Sequence, residues 1–259
     1  MDNEKFDLGD VRVEEIHLPN GKNNIYGKVY YPSLEGKHPA IIISHGFNGT
    51  NKTFERECIH YAKNGYVACG YDFCGGSIQG NSIGASTDMT ISTEKSDLMT
   101  VFNYISSLDE VDENNIVLIG ESMGGMVTAL VAKEIPQRVK SVVLYYPALC
   151  IPDDWRERFP KLEDVPKEFD FWGLMLGKGY IEDIHDMQIF EAIEGYPGKV
   201  LIMHGDMDEV VDFEYSEKAA SIYQNCELVK MVGQKHGFTL EAGLEAMDRV
   251  LKFANSSCI

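Results

Sequence analysis

The spacing of apolar residues changes once along this chain. In residues 11–18 and 24–31 apolar and polar positions alternate, with Pro19, Asn20 and Gly21 between them, which predicts an antiparallel, hairpin-like start. Beyond that point come short, continuously apolar runs at 40–44, 66–71, 116–119, 141–145, 200–203 and 227–232. Strands covered on both faces in a parallel sheet read this way. Stretches with helical spacing separate them, at 52–63, 93–107, 123–133, 213–223 and 240–254. Strands alternating with helices predict an α/β fold, a mostly parallel central sheet flanked by helices.

One interval breaks the rhythm. About 50 residues pass between Tyr146 and Lys199, far more than an ordinary connection needs. Residues 149–194 hold both tryptophans, Trp155 and Trp172, together with Phe159, Phe169, Phe171 and Phe190. They also carry 12 acidic and 5 basic residues, a local net charge of −7. Amphipathic helices packed on the sheet edge would account for this interval. So would an inserted cap after the sixth strand, since insertions in α/β folds commonly shape the ligand crevice. The expected organisation is one domain over 1–259 with 149–194 as a cap or lid subdomain.

Composition then excludes several classes. The chain has 259 residues, 23 Lys+Arg and 41 Asp+Glu, for a formal net charge of −18. Nucleic acid and anionic membranes both require clustered positive charge, so neither is an expected partner. No apolar run approaches the roughly 18 residues that span a bilayer. Residues 1–5, Met-Asp-Asn-Glu-Lys, lack the basic and apolar regions of a signal peptide. The six cysteines, Cys58, Cys69, Cys74, Cys150, Cys226 and Cys258, contain no C-x-x-C pair and suggest no disulfide framework. Cys69, between Ala68 and Gly70, reads as a small buried apolar residue. A cytoplasmic protein with free thiols is the expectation.

Chemistry enters at the run 116–119, which leads into Gly120-Glu121-Ser122-Met123-Gly124 and then a helical stretch. This is G-x-S-x-G in its strand–turn–helix context. A turn sharp enough to present the serine above the sheet leaves no room for side chains two residues before and after it, hence glycine at both. The helix that follows points its positive end at developing negative charge. Ser122 is the candidate nucleophile.

A serine hydroxyl needs an imidazole to take its proton. In this strand–helix order the acid and then the histidine follow the serine, which leaves His185, His204 and His236. His236, in the loop between the last strand and last helix, sits at the carboxyl edge of the sheet, where ligands bind. His204 ends its own strand and reads as a loop anchor, and His185 falls in the inserted interval as a substrate contact at best. The acid must follow the run 200–203. Asp206 and Asp208 both qualify on physical grounds, while Asp212 fits better as a cap of the next helix.

Acyl transfer also needs two backbone amides near the developing oxyanion. Met123, after the nucleophile, supplies one. Phe47, in the loop after the run 40–44, is the candidate for the other. His45 in that loop reads as structural, its ring bonded to the loop backbone.

With Ile41-Ile42-Ile43-Ser44-His45-Gly46-Phe47, Gly120-Glu121-Ser122-Met123-Gly124 and Lys235-His236-Gly237-Phe238 in place, nearly the whole chain resembles the α/β-hydrolase superfamily of serine esterases. Within it the chain is most similar to bacterial feruloyl (cinnamoyl) esterases and their monoglyceride-lipase-like relatives. That group has a short cap after the sixth strand and an H-G-x-x-D-x-x-V acid loop. Aligned on His204, Gly205 and Val211, the resemblance places the acid on Asp208. It implies Ser122 as nucleophile, His236 as base, and the amides of Phe47 and Met123 as oxyanion donors. One stretch departs from the group: D-F-x-G-x-G-x-S is shortened here to Asp72-Phe73-Cys74-Gly75-Gly76-Ser77, which bears on that loop's shape and not on the triad.

The implied reaction is carboxylic-ester hydrolysis through an acyl-enzyme, with no metal and no organic cofactor. Feruloyl esters are the substrate class that the resemblance implies, with Trp155, Phe171 and Trp172 as substrate contacts. Those rings could equally well pack the insertion onto the sheet. A monoacylglycerol or short-chain esterase, or a serine peptidase, fits the same fold. A non-catalytic binding module of this fold is the reading from another class. The expected partner is a small-molecule ester, and the sequence leaves a homodimer open. The acidic insertion also predicts that a carboxylate product is repelled from the site, with inhibition by free acid growing as salt screens the field.

Overall fold

The computed structural model describes residues 8–256. The expectations on residues 1–5 and on Cys258 lie outside the described residues. An eight-stranded sheet is its frame, in the spatial order β1 (Arg12–Asn20), β2 (Asn23–Tyr31), β4 (Val67–Tyr71), β3 (His38–Ser44), β5 (Val111–Glu121), β6 (Ser141–Tyr145), β9 (Lys199–Gly205) and β10 (Cys226–Met231). β1 and β2 form the antiparallel hairpin, closing around Gly21 in the left-handed region at φ +61°. β2 runs antiparallel to β4, and every later pairing is parallel.

The continuous apolar runs follow from two-sided burial. In β3, Ala40 and Ile42 face one core, while Ile41 and Ile43 face the other. Leu118 and its neighbours Val117 and Ile119 divide the same way in β5. One layer of helices contains α2 (Ile91–Ser106), α3 (Ser122–Glu134) and α7 (Phe213–Ile222), whose buried residues join the first core. The opposite layer contains α1 (Glu55–Lys63) and α8 (Leu240–Ser256), which pack on the second. Both layers are needed to cover a sheet that is apolar on both sides. Among the described residues, no helix is long and apolar enough to cross a membrane.

The interval between β6 and β9 holds three short α-helices, α4 (Ile151–Arg158), α5 (Lys178–Ile184) and α6 (Ile189–Ile193), a single 3-10 turn at Leu162–Asp164, and a separate antiparallel pair, β7 (Glu168–Phe171) and β8 (Leu174–Gly177). Helices alone were one expectation for this stretch, and the β7–β8 pair is an addition to it. Trp172 and Gly173 make its two-residue turn, both at positive φ, 49° and 80°. Positive φ at both central positions matches the right-handed twist of the flanking strands. α4 starts with Pro152, Asp153 and Asp154 and ends with Arg156 and Arg158, charges that complement the helix dipole at each end.

Candidate active site

β5 delivers its last residues to the carboxyl edge of the sheet and α3 begins directly at Ser122. Ser122 sits at φ 52°, a left-handed conformation that costs energy for a residue with a side chain. The two flanking glycines make the turn possible. A Cβ on Gly120 would run into the Gly124 carbonyl and the Thr128 hydroxyl, and one on Gly124 into the carbonyls of His45 and Ser44. Ala148 donates its amide to the Ser122 carbonyl at 2.8 Å, pinning the turn from the far side.

His236 reaches the serine from the loop after β10. Its Nε2 lies 2.9 Å from Ser122 Oγ, and its Nδ1 lies 2.8 Å from Asp208 Oδ2. An ionised carboxylate only accepts, so Nδ1 carries the proton and Nε2 presents its lone pair to the serine hydroxyl. Of the two acids after β9, Asp208 is the one that meets the imidazole. Asp206 instead accepts the Gly233 amide at 2.6 Å, and Met207 donates its amide to the Gln234 carbonyl at 2.9 Å, so the two loops are stitched together. Asp212 caps α7, taking the Glu214 amide on Oδ1 at 3.0 Å.

The Asp208 side chain is fully buried. Burial pushes its pKa up, but the amides of Val211 and Val210 and the imidazole of His236 outweigh that and hold it below the usual carboxylate range. Oδ1 takes the amides of Val210 and Val211 at 2.8 and 2.9 Å. Oδ2 is shared between His236 and the buried His204, whose Nε2 lies 3.1 Å away.

The loop after β3 lies against the serine turn. His45, fully buried, uses Nδ1 to donate to the Gly46 carbonyl at 2.7 Å and Nε2 to accept the Phe73 amide at 3.0 Å. Both nitrogens are thus bonded to loop backbone, and burial holds the ring's pKa below normal. The shortened loop after β4 is closed on Asp72, which accepts from Asn51 and from the Asn81 amide. It also reaches the β3 loop, because Asn48 Oδ1 takes the Ile78 amide at 3.0 Å and the Asn48 carbonyl takes the Ser77 hydroxyl at 3.2 Å.

A cavity of about 310 Å³ opens beside Ser122. Phe47, Met123, Trp155, Phe171 and Trp172, each singled out in the sequence, all line it. The inserted rings divide by position. Trp155 packs against Phe171 at 4.9 Å between centroids, Phe171 stacks on Trp172 at 4.8 Å, and Phe47 meets Phe171 edge-on at 5.2 Å. Phe159 and Phe169 pack around Trp155 without lining the cavity, and Phe190 stacks on Tyr215 elsewhere. The insertion therefore both walls the cavity and packs on itself. His185 does not line the cavity, and its Nδ1 lies 2.9 Å from Asp186 Oδ1.

Sequence reasoning missed several lining residues. Tyr180 lies under the cavity, its hydroxyl 3.5 Å from Met123 Sδ. Arg158 places its guanidinium over Trp155 at 5.1 Å and over Phe171 at 6.0 Å. Its spacing of three from Trp155 puts both on one helix face, a signal that could have found it. Asp154 and Glu209 are the other charged residues at the wall, along with the aliphatic Val210 and Val211.

Comparison with known proteins fits this geometry. A curated protein of Mycoplasma genitalium that carries a provisional esterase/lipase name is 28% identical over 130 residues. That match covers 50% of this chain and 46% of the relative, so the chain spans about half the length of the relative it matches. Est1E from Butyrivibrio proteoclasticus, solved with ferulic acid bound, superposes with a TM-score of 0.82 at 26% identity, over 93% of this chain and 99% of Est1E. The α/β-hydrolase GrgF from a Penicillium species superposes with a TM-score of 0.79 over 95% of this chain and 99% of its own, its 16% identity speaking for the fold alone. The model of the serine aminopeptidase S33 family matches residues 36–172, a little over half of the sequence, across the β3 loop, the serine turn and the first part of the insertion. The fold, the match and the G-x-S-x-G turn agree: the chain belongs to the serine aminopeptidase S33 family of α/β-hydrolases.

Proposed function

We propose that this protein is a serine carboxylic-ester hydrolase that works through an acyl-enzyme, with hydroxycinnamoyl (feruloyl) esters as its substrates. The observation that carries the reading is the row Ser122–His236–Asp208 opening onto an aromatic-walled cavity. In this reading Ser122 attacks the acyl carbon as His236 Nε2 takes its proton. The tetrahedral oxyanion is held by the amides of Phe47 and Met123, and Asp208 stabilises the imidazolium. His236 returns the proton to the leaving alcohol, and water repeats the sequence to free the acid. Residues 149–194 serve as the cap, with Trp155, Phe171 and Trp172 flanking the flat acyl group. Ferulic acid bound to Est1E supports the acyl class. The five described cysteines are all free, which supports a reducing compartment such as the cytoplasm.

A second reading is an aminopeptidase, favoured by the name of the family and by Asp154 and Glu209 at the cavity wall, where a free ammonium would be attracted. Turnover of methyl ferulate, nitrophenyl butyrate, monoacylglycerol and an aminoacyl anilide separates these. We expect the highest kcat/KM on methyl ferulate. No turnover of it beside good activity on the others would sink the feruloyl assignment, and preference for the anilide would favour the peptidase. A fluorophosphonate probe tests catalysis as such: failure to label the wild type, or labelling that survives Ser122→Ala, would return the protein to the class of binding modules.

A further inference from the structure

His204 is fully buried at the end of β9, and its surroundings determine where its proton sits. Nε2 faces two acceptors, Asp208 Oδ2 and the Val211 carbonyl, each at 3.1 Å. Nδ1 faces the Ser216 hydroxyl of α7 at 2.7 Å. A ring nitrogen aimed at a carboxylate and a carbonyl must carry hydrogen. Burial disfavours the doubly protonated ring and holds its pKa below normal, against the pull of Asp208 and the Val211 carbonyl. The single proton is therefore on Nε2, and Nδ1 accepts from Ser216, which is itself fully buried.

We propose that His204 is a positioning residue for catalysis, donating into the same carboxylate oxygen that holds His236 and thereby extending the row to Ser216–His204–Asp208–His236–Ser122. The inference rests on the reading of Ser122, His236 and Asp208 given above. A carboxylate offers about four acceptor sites, and here four donors fill them: the amides of Val210 and Val211 on Oδ1, and the two imidazoles on Oδ2. With the Asp208 side chain sealed from solvent, no bulk water can replace a lost donor. Removing His204 leaves Oδ2 tethered by His236 alone, and the carboxylate, held at Oδ1 by the Val210 and Val211 amides, can swing Oδ2 off the line on which it orients the base. His204 does not line the substrate cavity, so ground-state binding has no reason to change.

The test compares His204→Leu, His204→Gln and Ser216→Ala on a nitrophenyl ester, with melting temperatures taken in parallel. For His204→Leu we expect kcat to fall about 10- to 100-fold, the range for one hydrogen bond to a charged group, with KM within about two-fold. His204→Gln retains an N–H donor and should recover most of that loss. Ser216→Ala keeps the imidazole but frees its tautomer, and should lower kcat a few-fold at constant KM. This variant keeps the proposal falsifiable if His204→Leu does not fold. Wild-type kcat in folded His204→Leu overturns the proposal, as does wild-type kcat in Ser216→Ala where His204→Leu does not fold, or Gln performing no better than Leu in folded protein. Ser122→Ala run alongside separates the two levels: turnover surviving in it defeats the catalytic reading itself, whereas an inactive Ser122→Ala beside an unaffected His204→Leu defeats this inference alone.

Discussion

Ser122 Oγ lies 2.9 Å from His236 Nε2, across 114 residues of chain. The contact exists because β5 and β10 end on the same edge of the sheet and the loop after β10 folds back over the serine turn. It is within reach for direct proton transfer. His236→Ala should lower kcat by roughly 10⁴-fold or more with KM little changed, as measured by steady-state kinetics on a nitrophenyl ester. Retained turnover would mean that another group takes the proton.

The serine turn tolerates no added atoms. Gly124→Ala would force a methyl group into the carbonyls of Ser44 and His45, both of them backbone atoms that cannot move aside without shifting the β3 loop. We expect a stability loss of about 3 kcal/mol or more, seen as a much reduced melting temperature or loss of soluble protein. A variant melting within a degree or two of wild type would mean that the turn relaxes more easily than this packing allows.

Two tryptophans at one cavity should respond oppositely. Trp155 is 4% exposed and packed among Phe159, Phe169, Phe171 and Tyr180, so Trp155→Ala should cost about 3–5 kcal/mol of stability. Trp172 is 63% exposed, and Trp172→Ala should cost less than about 0.5 kcal/mol while raising KM for an aromatic ester. Urea denaturation and steady-state kinetics on the same two variants decide the matter. Unchanged KM in folded Trp172→Ala would remove that ring from substrate recognition.

Glu121, next to Ser122, gives a pH signature. Burial, and then the nearby Glu57, push its carboxyl up to about 7, while the Tyr146 hydroxyl and the Gly46 amide pull the other way. The folded state therefore holds this proton more tightly than the unfolded chain, whose glutamates titrate near 4.3. Its contribution is complete at low pH and is lost as pH rises through about 7. Glu121→Gln should come close to wild type near pH 4 and be more stable at pH 8, by roughly 3–4 kcal/mol. Urea midpoints at the two pH values check this, and an equal difference at both would show that Glu121 does not titrate in this range.

The central sheet was legible because burial on both faces leaves an unmistakable trace, as in residues 141–145, where expectation and β6 coincide. β5 was read only from 116 to 119, yet it begins at Val111, because the polar stretch from Asp112 to Asn115 lies where the strand is less deeply covered. Spatial order was not readable: nothing local in β3 says that it lies between β4 and β5. Ser122 and His236 were legible because their chemistry demands rare combinations, a serine between glycines and a histidine in the last loop, whereas Asp208 was separated from Asp206 only by the resemblance. The β7–β8 pair was not, since strands of four residues leave too short an alternation, and the cue lay in a Trp-Gly turn. Tyr180 escaped because its position depends on how the insertion folds back, and Arg158 because its spacing from Trp155 counts only once α4 is known to be helical. His204 was read as an anchor, and its second partner, Ser216, could come only from the packing of α7 on β9.

The division of the chain between these two sets of residues has a consequence of its own. Ser122, Asp208 and His236 sit at the carboxyl ends of the sheet strands, outside the stretch between β6 and β9. Trp155, Arg158, Phe171, Trp172 and Tyr180 all belong to that one contiguous stretch. Most of the aromatic wall can therefore vary without touching Ser122, Asp208 or His236. The insertion can be replaced as a cassette, shorter or longer, flatter or more charged, while the reacting atoms keep their spacing.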